Sequence, residues 1–369
     1  MKIAVVTVYD GLNYGSYLQA FAMKAFLEAR GHEVVFVQRK TEEENLALFT
    51  TKRPEEACDP VRRLWRSLRR RTVLKGQIEK ENQYYRRQFP LYQEVWKCFS
   101  LVCPEQLDDV DCIVCGSDEI WNPGNLNIDV PFYTCAEYGR DIPKIAISVS
   151  VGNAAAVDFA ACPEAVRAME NFAAILARDS HSQTVIGELT GCDVQYSCDP
   201  TLLVGRELFA ERGKMPEIAG EYMLVYTYGL TEEESRVIRR FAAEHRYRIV
   251  SACMDISIAD QVVNASPLAF AGLVEGAACC VTTTFHGTIF SLLFAKRFCS
   301  IARYPKIEEL LKETGTRQHL WDGLANGGFE KCMEEEKNQK ALDMHLQEIR
   351  RVSLAQIDRA LAAVEGVAR

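Results

Sequence analysis

Three polar clusters in the sequence hold residue types suited to proton transfer or anion binding, and each directly follows an apolar run. The first is Gly11-Leu-Asn13-Tyr-Gly15-Ser16-Tyr-Leu-Gln19, placed after Ile3–Val8. Glycines where a strand ends and a helix begins let backbone N–H groups approach an anion at the helix N-terminus. The second is Cys115-Gly116-Ser117-Asp118-Glu119-Ile-Trp121-Asn122-Pro123. It sits where open α/β sheets bind ligands, at the carboxyl end of a strand; the plainer alternative is that Asp118 caps a helix and Trp121 packs. The third is Thr282-Thr283-Thr284-Phe285-His286-Gly287-Thr288. His286 falls on its strand-to-helix turn, and histidine, with an unperturbed pKa of about 6.5, suits proton transfer at neutral pH.

Two lesser signals follow the same strand-end logic, Arg178-Asp179 after Ala173–Ala177 and Asp199-Pro200-Thr201 after Val194–Tyr196. Arg178 could clamp a carboxylate or phosphate with two parallel hydrogen bonds, or it could pair only with its neighbour Asp179.

Absences narrow the chemistry. The sequence contains no GxxxxGK[ST] phosphate loop, no HExxH metal pair and no GxSxG nucleophile elbow. The glycine cluster lacks the third glycine of the dinucleotide fingerprint, and residues 37–40 offer no acidic ribose partner, which argues against NAD. Asp109-Val-Asp111 has the form of a metal-binding DxD but precedes an apolar run, so it reads as a loop and strand start. Fourteen cysteines are scattered, several in apolar runs where a thiol behaves as a small hydrophobe. Cys112 and Cys115 lie in one strand-like run, where positions three apart point to opposite faces, so no metal site is expected there.

A net charge of −8 argues against nucleic acid as a partner. Residues 59–100 invert that sign, with eleven basic against four acidic side chains. Within them residues 61–75 place Val61, Leu64, Trp65 and Leu68 at helical spacing among arginines, a basic amphipathic helix. It either packs on the first domain or contacts anionic lipid headgroups or a polyanionic acceptor. No run suits a signal peptide or a membrane span, so a cytoplasmic protein is expected.

The elements that must position these clusters alternate. Strands are predicted at 3–8, 34–37, 112–115, 144–148, 173–177 and 194–196, then at 222–227, 247–252, 279–283 and 298–301. Helical spacing through Leu18, Phe21, Ala22, Ala25 and Phe26 makes residues 3–37 a βαβ unit, and Gly31 ends its helix. The mixed stretch 205–220 reads as a linker. The predicted fold is α/β with two Rossmann-like domains facing across a cleft. The first is residues 1–205 with a basic helical insertion at about 41–100, the second is residues 221–335, and residues 336–369 form a C-terminal helix.

The segments GLNYGSYLQAFAM, VCGSDEIWNP, ARDS, CDPTLL and SPLAFAGLVEGAACCVTTTFHGTIFSLLFAKRF together resemble the polysaccharide pyruvyl transferase family. Glu119 stands where that family often has Gln, and Thr284 where it commonly has Ser. The resemblance implies a GT-B-like fold and transfer of the enolpyruvyl unit of phosphoenolpyruvate onto two sugar hydroxyls, giving a pyruvate ketal. Phosphoenolpyruvate would be a co-substrate, with no other cofactor. The acceptor would be a glycan or lipid-linked oligosaccharide, met at the inner face of the membrane if residues 61–75 bind there.

On this reading His286 is the general acid and base. Arg178 holds the donor, with the N–H groups of Gly287 and Thr288 assisting and Arg303 as a second cation. Asn13, Gly15, Gln19, Asp118 and Asn122 line the acceptor side or the cleft. The ring of His286 has to stand at the mouth of the crevice, beside positive charge and open space. Two other readings use the same fold, a GT-B glycosyltransferase taking a nucleotide sugar and a non-catalytic glycan-binding protein.

Overall fold

The apolar runs become the strands of two all-parallel sheets. The first contains β1 (Lys2–Val6), β2 (Glu33–Val37), β3 (Leu101–Val102), β4 (Cys112–Cys115), β5 (Lys144–Val149), β6 (Ala174–Ala177) and β7 (Val194–Tyr196), in the order β3-β2-β1-β4-β5-β6-β7. The second contains β8 (Tyr222–Tyr226), β9 (Arg248–Ala252), β10 (Gln261–Val263), β11 (Cys279–Thr282), β12 (Arg297–Ile301) and β13 (Leu320–Trp321), in the order β10-β9-β8-β11-β12-β13. This computed structural model describes residues 1–40, 44, 75–213, 217–252, 254–323, 328–334 and 339–365. Every pairing between these strands is parallel. Parallel sheets are covered on both faces, which is why these strands read as unbroken apolar runs. Cys112 and Cys115 belong to different core layers on either side of β4.

Strand order reverses between β1 and β4 in the first sheet and between β8 and β11 in the second. At such switch points the loops leaving the strands part in opposite directions and open a crevice at the carboxyl ends. Helix α1 (Tyr14–Glu28), capped by the side chain of Asn13, starts at the first of these points. It is buried along most of its length, because it lies between the domains and packs on elements of both. One apolar core runs through it from the first sheet to the second.

Three short edge strands, β3, β10 and β13, escape sequence reading because two or three residues carry no periodicity. The predicted linker holds a helical turn, Glu207–Ala210, that buries Phe209 completely. The predicted basic helix lies outside the described residues except for Lys75. The described end of that insertion is α2 (Lys75–Trp96), whose Tyr92 stacks on Tyr14. The C-terminal helix returns to the first domain, where Ser353 Oγ accepts from the Cys198 amide at 2.9 Å. Among the described residues no helix is long and apolar enough to cross a membrane. Asp109 and Asp111 bind Lys2 at the amino ends of the strands, away from the crevice.

Candidate active site

The carboxyl ends of the two sheets face each other, and three of the singled-out clusters meet between them. β11 passes into α5 (Phe285–Leu293) through Thr284, whose hydroxyl caps the helix by accepting from the Gly287 amide at 3.0 Å. That cap fixes His286 in the first turn. Opposite it, on the other domain, stands Gly15: a Cβ built there would lie 2.1 Å from Nδ1 of His286. Glycine is needed at position 15 to make room for an imidazole, and its N–H is already donated to Asn13 Oδ1 at 2.8 Å.

Asp199 joins the two halves. It caps α4 (Pro200–Val204) through Oδ1, which accepts from the Thr201 amide at 3.0 Å and hydroxyl at 2.6 Å. Its Oδ2 accepts from Arg178 Nη1 at 3.0 Å and faces His286 Nε2 at 3.5 Å. Arg178, just past β6, aims Nη2 at Asp118 Oδ1, 3.5 Å away, and its guanidinium lies 4.6 Å from the ring centre of Phe285. Asp118 accepts from the Ser16 hydroxyl at 2.9 Å, so the second and first clusters are tied together. Asp179 is occupied elsewhere, capping α3 (Ser180–Thr190) and accepting from Ser150.

His286, Arg178 and Asp199 are 8%, 5% and 1% exposed. Charges so deep are costly unless neutralised. Burial alone would push the Asp199 carboxyl up, but His286 and then Arg178 outweigh it and hold it well below the usual carboxylate range. Burial opposes ionisation of Asp118 too, and Arg178, His286 and Lys306 overcome it. For Arg178 burial works against the charge, and Asp118 and Asp199 more than restore it. Two donors are left over: Arg178 Nη2 and His286 Nε2 are buried without a hydrogen-bond partner. Their 3.5 Å contacts give charge attraction without hydrogen-bond geometry. Buried polar groups are nearly always satisfied in native proteins, so both have capacity for the oxygens of a ligand.

The expected open crevice is shut in this conformation. The space bordered by Arg178, Asp199, Phe285, Lys306 and Glu313 is about 10 Å³, room for about one water. Asn13 Nδ2 donates to the Tyr228 hydroxyl at 2.8 Å and the Tyr14 hydroxyl to the Ala265 carbonyl at 2.8 Å, both across the domain boundary. Lys306 pairs with Glu119 over the same boundary. A substrate larger than water does not fit this space beside Arg178 while these contacts are made. The ring of His286 has its guanidinium neighbour, through the shared Asp199, but not the open space expected in front of it.

Several predicted roles are corrected. The N–H groups of Gly287 and Thr288 are consumed by Thr284, through its hydroxyl and its carbonyl, and the Thr288 hydroxyl contacts Ser300 at 2.7 Å, so neither residue has an amide to offer a donor. Arg303 gives Nη2 to both carboxylate oxygens of the buried Glu234, at 2.6 and 2.5 Å, which cancels its charge. Gln19 does not line the cleft. Fully buried, it donates to Thr7, Val8 and Ser16 and accepts from the Ser117 amide, pinning the loops after β1 and β4 together. Asn122 acts through Glu119, to which its Nδ2 donates at 3.2 Å. Asn13, Gly15 and Asp118 do stand at the domain boundary.

Two residues were missed as site residues. The sequence gives Asp199 a place after β7 but no role. Lys306 was not noted at all, though Pro305 marks a helix start beyond β12 and so places Lys306 at the strand ends. Its ammonium lies 5.6 Å from the ring centre of Phe285, which thus has a cation from each domain beside it.

The same space holds an unusually weak carboxylic acid. Burial pushes Glu313 up to about 7, the Tyr196 hydroxyl bond at 3.1 Å opposes this, and the charges of Glu309 and Asp179 reinforce it. A folded value above the ordinary 4.5 means that the folded protein keeps a proton the unfolded chain releases. Stability should therefore fall as pH rises from about 4.5 to 7, by up to roughly 3 kcal/mol at 1.36 kcal/mol per pH unit. Glu313→Gln removes that cost, so urea unfolding at pH 8 should show the variant more stable than the parent, with the two converging near pH 4. Equal pH slopes would contradict the assignment.

Two solved structures are similar over nearly the whole chain. The UDP-GlcNAc 2-epimerase from Neisseria meningitidis, bound to UDP-GlcNAc, is 11% identical with a TM-score of 0.53, covering 98% of this chain and 100% of that one. The UDP-N-acetylglucosamine 2-epimerase from Rickettsia bellii is 13% identical with a TM-score of 0.52, covering 100% and 98%. At such identity the likeness shows the fold, which is GT-B-like. No curated protein matches the sequence. The family model for polysaccharide pyruvyl transferase matches residues 13–304, a span that takes in Gly15, Asp118, Arg178, Asp199 and His286 alike, and the chain belongs to that family.

Proposed function

We propose that the protein transfers the enolpyruvyl unit of phosphoenolpyruvate to two hydroxyls of one sugar in a glycan, forming a pyruvate ketal. The observation that carries this reading is the pair of unsatisfied buried donors, Arg178 Nη2 and His286 Nε2, gathered around Asp199. A guanidinium with a free N–H suits a carboxylate or phosphate, and an imidazole beside it suits proton transfer. Lys306, whose partner Glu119 lies on the other domain, supplies the second cation in place of Arg303, whose partner Glu234 is buried in its own domain.

The chemistry then balances. His286 gives a proton to the terminal methylene carbon, which becomes the methyl group, and positive charge develops at the carbon bearing the phosphate oxygen. A sugar hydroxyl attacks that carbon, and its proton returns to His286. The carbon–oxygen bond to phosphate breaks, a second hydroxyl closes the ring, and its proton leaves with the phosphate as hydrogen phosphate. Asp199, kept ionised, faces the ring of His286 and the guanidinium together and so fixes their relative position.

Ligand binding tests the reading. Phosphoenolpyruvate at one hundred times its Kd should stabilise the protein by about 2.7 kcal/mol, read as a rise in melting temperature, while UDP-GlcNAc should have no effect. Stabilisation by UDP-GlcNAc alone would favour a nucleotide-sugar enzyme and overturn the proposal.

A further inference from the structure

Among the described residues, only two aromatic side chains are exposed, Tyr228 at 55% and Tyr304 at 57%, in a protein with 35 Phe, Trp and Tyr residues. Neither is placed at random. Tyr228 lies two residues beyond β8 and Tyr304 three beyond β12, so both stand at the carboxyl edge of the second sheet. In that sheet β11 lies directly between β8 and β12. The two rings therefore bracket the loop that carries His286, about two strand spacings apart, roughly 10 Å.

Both are held rather than loose. Asn13, from the other domain, donates to the Tyr228 hydroxyl at 2.8 Å, and the Tyr228 ring leans on Tyr226 with centroids 6.1 Å apart. Lys306 stands 5.5 Å from the ring centre of Tyr304. With Asn13 on the Tyr228 hydroxyl and Lys306 over the Tyr304 ring, both side chains are still more than half exposed, and such a ring presents apolar surface beside polar groups, which is the surface chemistry that accepts a ligand both apolar and polar. A sugar ring has that character, with C–H bonds on its faces and hydroxyls around its rim.

We propose that Tyr228 and Tyr304 form the acceptor subsite, stacking pyranose rings of the glycan on either side of His286. This inference rests on the transfer reading above and adds the residues that select and orient the acceptor. The sugar that reacts would lie between the two rings, with its hydroxyl pair turned towards the imidazole. The contact between Asn13 and Tyr228 opens when the domains part, so the aromatic edge becomes fully available in the state that admits the donor.

The test uses saturation-transfer NMR on the full chain with phosphoenolpyruvate present and a panel of methyl glucopyranoside, galactopyranoside and mannopyranoside as probes. The wild-type protein should transfer saturation to the C–H protons of at least one of them. Tyr228→Ala and Tyr304→Ala should each weaken that binding about three- to tenfold, the scale of one aromatic contact. Tyr228→Phe and Tyr304→Phe should restore it, since the ring and not the hydroxyl carries the contact. No binding of any probe by the wild-type protein, or unchanged binding in both alanine variants, would overturn the proposal. Titration of phosphoenolpyruvate into the wild-type protein separates the two failures: donor binding without pyranoside binding defeats the aromatic subsite alone.

Discussion

His286→Ala lowers transfer from phosphoenolpyruvate by about 10²- to 10⁴-fold while the protein stays folded. That range is the usual contribution of a positioned general acid or base, and the reaction proposed needs its proton delivered to carbon, a step water performs poorly. The variant should fold because Asp199 keeps Arg178 as its hydrogen-bonded partner at 3.0 Å when the imidazole is gone. The vacated space lies against Gly15, on the first turn of α1, so the variant loses stability through a cavity and through the loss of one of the groups that hold Asp199 ionised, while Arg178 remains to pair with that carboxylate. Phosphate release at saturating phosphoenolpyruvate, measured beside circular dichroism and a melting curve, gives the result. Turnover within threefold of the parent would remove His286 from the chemistry.

Replacing Arg178 should have the larger structural effect. In Arg178→Met the buried carboxylates of Asp199 and Asp118 lose their nearest cation, and breaking a buried charge network in this way costs about 3–5 kcal/mol. In acid the lowered carboxyls of Asp118 and Asp199 decide the outcome. Their contribution is intact above the ordinary carboxylate value of 3.8 and is lost as pH falls through the lower folded values. The methionine variant should therefore lose stability at neutral pH and show a shallower loss in acid, and Asp199→Asn added to it should recover part of the difference.

Donor binding is read on a gentler change. Arg178→Lys keeps the charge and gives up the planar fork, so it should remain folded and bind phosphoenolpyruvate at least tenfold more weakly by calorimetry. Unaltered affinity in the lysine variant would show that the guanidinium holds no part of the donor.

Much of this arrangement is legible in the sequence. Unbroken apolar runs such as 112–115 and 279–283 can only be strands covered on both faces, and each one ends in a polar cluster at the edge where ligands bind. His286, Arg178 and Asp118 were found by that logic. Gln19 was misread by the same logic: its position beside the glycine cluster says nothing about its direction, and the structure turns it inward to satisfy four backbone and side-chain partners. Arg303 and Lys306 are three residues apart and both basic, and sequence offers no means of knowing that one would be held by the buried Glu234 of its own domain and the other would stand beside Phe285, paired with Glu119 across the domain boundary.

The sequence by itself determined the two parallel sheets and the polar residues delivered to the carboxyl ends of their strands, because burial on both faces and the strand-to-helix turns are local properties of the chain, whereas the order of the strands and the switch points were decided by the tertiary structure. Only the tertiary structure decided that Asp199 would link Arg178 to His286, that Gly15 would yield its side-chain space to an imidazole from the other domain, and that the crevice would stand shut. Those outcomes depend on contacts between residues far apart in the chain, where the pairing of buried charges and the exclusion of overlapping atoms are settled only once both domains occupy the same space.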